Sequence, residues 1–169
     1  MASKIMKIIK NLLSSNDLQM VQDTLMSEDF PWFYRATETT REEDGEYFTH
    51  NFIRVPQPGR SNWYYALEPI LPHLNISSLI MIRANLCVNS NVALRSRFHT
   101  DNNDPRVTTA IFYVNTNNGM TMLRTPEGII ESPAEENKII IFPSQTHHQS
   151  VRQTDTKQRV VINFNFYGK

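Results

Sequence analysis

A histidine and an aspartate stand two residues apart in the segment Phe98-His99-Thr100-Asp101. In an extended chain, residues at positions i and i+2 leave the same face of the backbone, so one metal ion can lie between His99 and Asp101. The same pattern also occurs in surface turns, where the aspartate caps a loop. The pair therefore predicts a metal site only if a third ligand comes from a distant part of the chain.

Candidates for the third ligand are the remaining histidines: His50, His73, His147 and His148. The last two follow a short apolar strand, Ile139–Pro143, which runs into a turn. Two imidazoles and one carboxylate on one side of an ion form the facial arrangement of non-haem Fe(II) sites. The three positions left open on such an ion can take a co-substrate and dioxygen.

Arg159 begins a strand in which apolar and polar residues alternate. Val160, Ile162, Phe164 and Phe166 share one face, whereas Arg159, Val161, Asn163 and Asn165 share the other. Arg159 is thus expected to point away from the apolar layer, toward the side where a cavity would lie. A guanidinium binds a carboxylate through paired hydrogen bonds, so Arg159 could anchor a dicarboxylate co-substrate. A surface salt bridge is the alternative role.

The composition bounds the class of protein. The chain has 169 residues, is 40% apolar and 20% charged, and therefore predicts one globular domain over 1–169. Seventeen basic and seventeen acidic residues give zero net charge, which argues against a nucleic-acid-binding protein. A single cysteine, Cys87, excludes an intramolecular disulfide framework and fits a reducing compartment, and no apolar run is long enough to span a membrane. We therefore expect a cytoplasmic protein with no membrane partner.

The elements that would position these residues are predicted as helices first and strands afterwards. Met1–Leu13 has helical apolar spacing, and a second helix is expected after the capping residues Ser14–Asp17, with Leu18, Val21 and Leu25 on one face. An exposed loop is predicted over Asn51–Arg60 and a short helix over Tyr64–Leu74. Strands are predicted over Ser78–Val88, Thr108–Asn115, Lys138–Phe142 and Gln158–Tyr167. This order favours a β-sandwich or barrel (about 76–169) supported by a helical N-terminal part (about 1–75).

The segment from Phe98 to Phe166 resembles the Fe(II)- and 2-oxoglutarate-dependent dioxygenases, and within them the prolyl 4-hydroxylase-like branch. The motifs that carry the resemblance are Phe98–Asp101, Thr109–Asn115, Phe142-Pro143-Ser144 followed by His148, and Arg159. Asp29–Tyr34 is also similar to the N-terminal part of small phage-encoded members, which would place the protein in a host cytoplasm.

The resemblance implies a mainly β fold, a double-stranded β-helix or jelly roll with helices packed on its larger sheet. It implies that His99, Asp101 and His148 bind Fe(II), since the family places this ligand four residues after the serine of Phe-Pro-Ser and so selects His148 over His147. Arg159 and Tyr113 would hold the distal carboxylate of 2-oxoglutarate. Asn85 stands where the branch has a tyrosine that contacts the co-substrate, which is a departure from its pattern.

The activity implied is hydroxylation of a peptidyl or protein substrate with O2, releasing succinate and CO2. Arg95, Arg97, Arg106 and the Asn51–Arg60 loop could line the mouth of the site, and these arginines would equally suit an anionic substrate. Two other functions are weighed against this one: a non-catalytic jelly-roll binding module, and a nucleic-acid demethylase of the same superfamily. The sequence assigns neither the substrate nor the oligomeric state.

Overall fold

The computed structural model describes residues 6–35, 47–57 and 59–169. Within these ranges, one α-helix, α1 (Ser15–Leu25), lies near the N-terminus, and two short 3₁₀ turns cover Tyr64–Leu67 and Leu71–His73. The strands are β1 (Lys7–Lys10), β2 (Phe33–Arg35), β3 (Tyr47–Arg54), β4 (Ile76–Val88), β5 (Val107–Tyr113), β6 (Met120–Thr125), β7 (Gly128–Pro133), β8 (Lys138–Pro143), β9 (His148–Val151) and β10 (Gln158–Gly168). None of the helices in these ranges is long and apolar enough to cross a membrane.

Two antiparallel sheets form the body of the fold. The larger has the order β1-β8-β5-β10-β4-β3-β2, and the smaller has the order β7-β6-β9. Isolated bridges between Arg95 and Val151 and between His99 and His148 extend the smaller sheet into the loop after β4. The predicted fold class, mainly β in a jelly roll, is confirmed.

The strands of the larger sheet alternate between two environments. One face of β4 and β10, which includes Ile82, Ala84, Ile162 and Phe164, is fully buried against α1 and the 3₁₀ turns. The opposite face looks toward the smaller sheet, and at one end of this interface Ile111, Tyr113, Leu123, Ile140 and Phe142 form a second apolar cluster. The period-two pattern of the sequence thus predicts correctly which residues face the interior between the sheets.

The helix α1 forms where the sequence predicts it. Ser14 caps its N-terminus, because the Ser14 hydroxyl accepts a hydrogen bond from the backbone N–H of Asp17. Val21 and Leu25 are fully buried in the core, as their helical spacing predicts.

The prediction of a first helix over Met1–Leu13 is wrong in its described part. Lys7–Lys10 forms the strand β1 and pairs with β8, while residues 1–5 lie outside the described ranges. Without this pairing, one side of β8 would be an open sheet edge. The backbone hydrogen bonds that Lys7–Lys10 makes to β8 favour a strand there over an isolated helical turn. The segment is then tied down by Asn137, whose side chain bonds both the N–H and the C=O of Leu13.

Two further predictions in the first half of the chain are corrected. The expected loop Asn51–Arg60 begins inside the strand β3, where Phe52 is fully buried in the core. The expected helix Tyr64–Leu74 is two 3₁₀ turns, with Pro72 inside the second. Packing against residues distant in sequence decides the local structure of both segments. In the first segment, the pairing of β3 with β4 contributes as well.

Candidate active site

A cavity of about 620 Å³ opens between the two sheets. Its floor is formed by alternate residues of β4 and β10, and its opposite wall by Thr121, His148 and Ser150 of the smaller sheet. His99, Asp101 and Arg159 also line it, together with Asn85. The structure therefore brings five of the six residues predicted for the site to one cavity, and Tyr113 lies behind its wall.

His99, Asp101 and His148 form a compact cluster with metal-binding geometry. One donor atom from each of the three lies within 4.8 Å of the other two. Asp101 Oδ1 is 3.8 Å from His99 Nε2 and 3.4 Å from His148 Nε2. Backbone hydrogen bonds between His99 and His148 hold the two segments together, with N···O distances of 3.0 and 2.9 Å. The arrangement can hold one cation on three donors.

Hydrogen bonds on the far side of each ligand fix which atom points at the ion. The ring Nδ1 of His99 donates to the carbonyl of Arg97, and that of His148 donates to the carbonyl of Thr146, each at 3.0 Å. Both Nε2 atoms are thereby left to bind a metal. Asp101 Oδ2 accepts hydrogen bonds from Thr109 and Asn165, at 3.0 Å each, so that Oδ1 faces the two imidazoles.

The pKa shifts of Asp101 and His99 favour a bound cation, whereas that of His148 favours a proton. Burial opposes ionisation of Asp101, but the hydrogen bond and charge of His148 and the hydrogen bond of Asn165 hold the pKa of this carboxyl well below its usual range. Burial and the neighbouring His148 lower the pKa of His99. Burial also acts to lower the pKa of His148, but the hydrogen bond and charge of Asp101 outweigh it and raise this pKa above its ordinary value. Metal binding at this cluster therefore competes with protonation of His148, because a ligating imidazole must be neutral.

The two adjacent histidines have different surroundings. His148 is 3% exposed and packs edge-on against Phe142, whereas His147 is exposed and its backbone carbonyl bonds the N–H of Arg124. Adjacent residues of an extended chain point in opposite directions, which is why only one of them reaches Asp101.

Arg159 lies at the inner end of the cavity and is 3% exposed. Its guanidinium donates to the hydroxyls of Ser150, at 3.1 Å, and Thr121, at 3.5 Å. Its Nε is buried without any partner. Because an unpaired buried donor is costly, this N–H calls for an acceptor in the cavity. The sequence could show the residue but not the two hydroxyls that orient it.

Tyr113 is fully buried beside Arg159, whose guanidinium carbon lies 6.0 Å from the centre of the tyrosine ring. The Tyr113 hydroxyl donates to the carbonyl of Ser132 at 3.3 Å and to its hydroxyl at 3.2 Å. Burial raises the pKa of Tyr113, so the phenol stays neutral. In this state its hydroxyl is directed at Ser132 rather than into the cavity.

Of the remaining predicted residues, some line the cavity and others do not. Asn85 lines the cavity with its Oδ1 buried and unpartnered, and Arg97 lines the mouth as an exposed side chain. Arg95 instead contacts Met122, and Arg106 pairs with Asp104 at 2.7 Å away from the cavity lining. Arg83 and Asn163 also line the cavity. Alternation along β4 and β10 predicts that both side chains leave this face, but it does not distinguish them from the other polar residues there.

The sequence matches no protein-family model and no curated protein. Solved structures do match. A prolyl hydroxylase from Trichoplax adhaerens, in complex with a peptide fragment of the hypoxia inducible factor oxygen degradation domain, gives a TM-score of 0.73 at 15% identity over 96% of this chain and 83% of that one. A prolyl-4-hydroxylase from Pseudomonas putida gives 0.67 at 12% identity over 99% and 95%.

A third structure is the epimerase SnoN in complex with Fe3+, alpha ketoglutarate and nogalamycin RO, with a TM-score of 0.69 at 9% identity over 98% of this chain and 79% of that one. These neighbours catalyse different reactions, so the likeness concerns architecture. The chain has the jelly-roll fold of the 2-oxoglutarate- and Fe(II)-dependent oxygenases.

Proposed function

We propose that this chain is a single-domain Fe(II)- and 2-oxoglutarate-dependent dioxygenase that hydroxylates a peptidyl or protein substrate. The observation that carries the proposal is the composition of one cavity. A two-histidine, one-carboxylate cluster lies on its wall, and a buried guanidinium with an unused donor lies at its inner end.

The residues present fit both proposed groups. Two imidazole nitrogens and one hard carboxylate oxygen on the same side of an ion suit Fe(II) and leave its other side open. The unpartnered Nε of Arg159, beside the hydroxyls of Ser150 and Thr121, fits the far carboxylate of 2-oxoglutarate. When bound, Fe(II) and 2-oxoglutarate would activate O2, the oxidant: 2-oxoglutarate would be oxidised to succinate and CO2, with one oxygen atom of O2 entering succinate and the other the substrate.

The protein's own part is to bind, orient and exclude water. Asp101 stays ionised and Thr109 and Asn165 fix its rotamer, so its free oxygen is directed at the metal position before any metal arrives. Arg159 sets the direction in which a dicarboxylate lies. The apolar side chains of Ile111 and Val161, which line the cavity between Arg159 and the cluster, limit the water that can reach the bound groups.

A peptide substrate is supported by two observations. The cavity opens to solvent beside the exposed residues Arg54 and Arg97, so an extended segment of a larger molecule can enter it. The neighbour from Trichoplax adhaerens was determined with a peptide bound. We propose that a peptidyl side chain, with proline as the first candidate, is placed near the open side of the metal.

The test is succinate formation by the purified protein with Fe(II), ascorbate and 2-oxoglutarate, together with the visible charge-transfer absorption that Fe(II) gains when a 2-oxo acid chelates it. Both signals should appear in the wild type and be lost in Asp101→Ala. Asp104→Ala is the matched control, because Asp104 is a nearby carboxylate that pairs with Arg106 and does not line the cavity. Wild-type protein that shows neither signal would overturn the proposal.

The substrate is identified by mass spectrometry of proteins from a cell extract incubated with the wild type or with Asp101→Ala. Peptides that gain the mass of one oxygen atom only with the wild type are the products. A gain confined to nucleic acid would exclude the peptide assignment while leaving the oxygenase activity in place.

A further inference from the structure

The floor of the cavity carries a second arginine, Arg83 on β4, which the reaction proposed above does not use. Its Nε is buried without a partner, and its guanidinium makes no hydrogen bond or ion pair with any described residue. By contrast, Arg159 is held by two hydroxyls and Arg106 by Asp104. Arg83 is half-buried and lines the cavity, and its buried Nε lacks the acceptor that a buried donor normally has, so the guanidinium can bind an anionic partner from outside the described residues.

The neighbours of Arg83 are polar and incompletely paired as well. In the sheet, Arg83 stands directly between Asn51 of β3 and Asn163 of β10, and Asn85 is the next residue of β4 on the same face. The Oδ1 atoms of all three asparagines are buried and without partners. Four adjacent side chains thus each carry a buried polar atom without a hydrogen-bond partner, which is unusual in a folded protein unless a ligand supplies the partners.

This group lies on the metal side of the cavity, apart from Arg159. Asn165, which bonds Asp101, is two residues from Asn163 on the same face of β10, whereas Arg159 is four residues away in the other direction. Asn163 is the β10 residue opposite Arg83. At about 3.3 Å per residue, its backbone is about 13 Å from that of Arg159.

Among the described residues, nothing balances the charge of Arg83 once the proposed groups are bound. Asp101 is the only acidic side chain among the described lining residues, which also include Arg54, Arg83, Arg97 and Arg159. One Fe(II), one 2-oxoglutarate dianion, Asp101 and Arg159 together sum to zero formal charge. Arg83 then remains positive beside the space left for the substrate.

We propose that the substrate of this oxygenase carries an anionic group, a carboxylate or a phosphate, that binds Arg83 next to the carbon to be oxidised. This inference rests on the proposed function. Asn85 and Asn163 accept hydrogen bonds from the same molecule, so the substrate has N–H or O–H groups near its anion. Arg83 is a specificity residue, and a neutral prolyl segment without a nearby acid is a poor substrate.

The test is a nuclear magnetic resonance titration of ¹⁵N-labelled protein loaded with Zn(II), a redox-inert ion, and saturating 2-oxoglutarate. Sodium sulfate is the probe, and the arginine Nε–Hε signals are observed. The signal that disappears in Arg83→Gln should shift in the wild type as sulfate is added. Arg83→Gln should weaken sulfate binding by about 10-fold or more, and Arg83→Lys should recover part of it.

Arg54→Gln is the control, because Arg54 lines the same cavity but is exposed, and it should change sulfate affinity by less than about 3-fold. A sulfate affinity that is the same in Arg83→Gln and wild type overturns the inference. So does a shift of the Arg83 signal caused by 2-oxoglutarate itself that leaves sulfate unable to bind, since Arg83 would then hold the co-substrate.

One internal competitor is tested in the same way. The stretch Glu38–Glu46 contains five acidic residues, Glu38, Glu42, Glu43, Asp44 and Glu46, and lies outside the described ranges. If replacing these five by the corresponding amides shifts the Arg83 signal without sulfate, the arginine pairs within its own chain and the inference is wrong. Metal-free protein separates this inference from the proposed function. It forms no succinate, but it should still bind sulfate through Arg83.

Discussion

At the scale of single residues, the candidate metal site depends on how Asp101 divides its two oxygens. Oδ2 is held by Thr109 and Asn165, and Oδ1 is left facing two imidazole nitrogens. Asp101 and the two imidazoles are held in place by hydrogen bonds to other groups, so little reorganisation is needed when an ion binds.

This geometry predicts that His148→Ala and His147→Ala behave differently. His148→Ala removes one of three donors and should weaken Mn(II) binding by at least about 10-fold, as calorimetric titration would measure. His147→Ala, the neighbouring and exposed control, should bind Mn(II) like the wild type. If only His147→Ala lost the metal, the ligand assignment would be wrong.

Arg159 should control 2-oxoglutarate affinity and leave metal affinity nearly unchanged. Removing a buried, charge-assisted pair of hydrogen bonds in Arg159→Ala should raise the apparent 2-oxoglutarate constant by about 100-fold or more. Arg159→Lys keeps the charge but loses the fork, so it should recover only part. Succinate formation is measured against 2-oxoglutarate concentration at saturating iron. An unchanged 2-oxoglutarate dependence in Arg159→Ala would contradict the co-substrate assignment.

At the scale of elements, the turn before β6 supports Arg159 from behind. A Cβ added at Gly119 would lie 2.9 Å from Arg159 Cδ, 2.9 Å from the carbonyl oxygen of Val151 and 2.8 Å from Asn117 Oδ1. Such distances are well inside van der Waals contact, and the backbone oxygen cannot move as a flexible side chain can. Only a glycine lets the turn approach the arginine this closely.

Gly119→Ala should therefore displace Arg159 and raise the apparent 2-oxoglutarate constant by about 10-fold, because the guanidinium no longer aligns with both hydroxyls. Gly168→Ala is the control, since its added Cβ would be 3.6 Å from the nearest atom, the carbonyl oxygen of Asn75. Metal affinity should be equal in both variants. If Gly119→Ala kept the wild-type constant, the turn would have no part in positioning Arg159.

The elements also show what the sequence could and could not predict. The sequence predicts β4 and β10 to within two residues of their observed ends because apolar and polar residues alternate along these long strands, and it predicts β8 because a short continuous apolar run is also a local signal. The strands β1 and β2 are short and exposed, and pairing with a neighbouring strand that is distant in sequence creates them. The same applies to the site: alternation placed Arg159, while Ser150 and Thr121 come from strands whose register no local pattern fixes.

At the scale of the whole molecule, the two faces of the larger sheet differ in role: one packs in the apolar core, and the other lines the candidate active site. One face of the larger sheet packs on α1 and the 3₁₀ turns in a large apolar core, while the other face holds the second cluster and the polar cavity. Buried unpaired polar atoms, including those of Arg83, Asn85, Asn163 and Arg159, are concentrated in that cavity. These unpaired atoms lower the stability of the fold at the cavity, and the apolar core on the other face of the sheet compensates for the loss.

The core behind the sheet contains one titratable group, His50 on β3, that should make folding sensitive to acid. His50 is 5% exposed and lies among aromatic rings, with ring centres 4.6 Å from Phe30 and 4.8 Å from Phe52. Its Nδ1 donates to the carbonyl of Pro31 at 2.9 Å, and its Nε2 accepts from the Ser61 hydroxyl at 2.7 Å. The neutral ring satisfies both hydrogen bonds, and burial lowers the pKa of His50 below its ordinary value of 6.5.

Above pH 6.5, His50 is neutral in both the folded and the unfolded chain, so its full contribution to stability is present. As the pH falls below that value, the unfolded chain takes up a proton that the folded chain resists, and stability is lost down to the folded pKa. Urea unfolding of metal-free wild type and His50→Gln between pH 7.5 and 5 should give free energies whose difference shrinks as the pH falls. The slope should approach at most about 1.4 kcal/mol per pH unit. Titration of the metal ligands is common to both proteins and cancels in this comparison, so two parallel pH curves would show that His50 is not responsible.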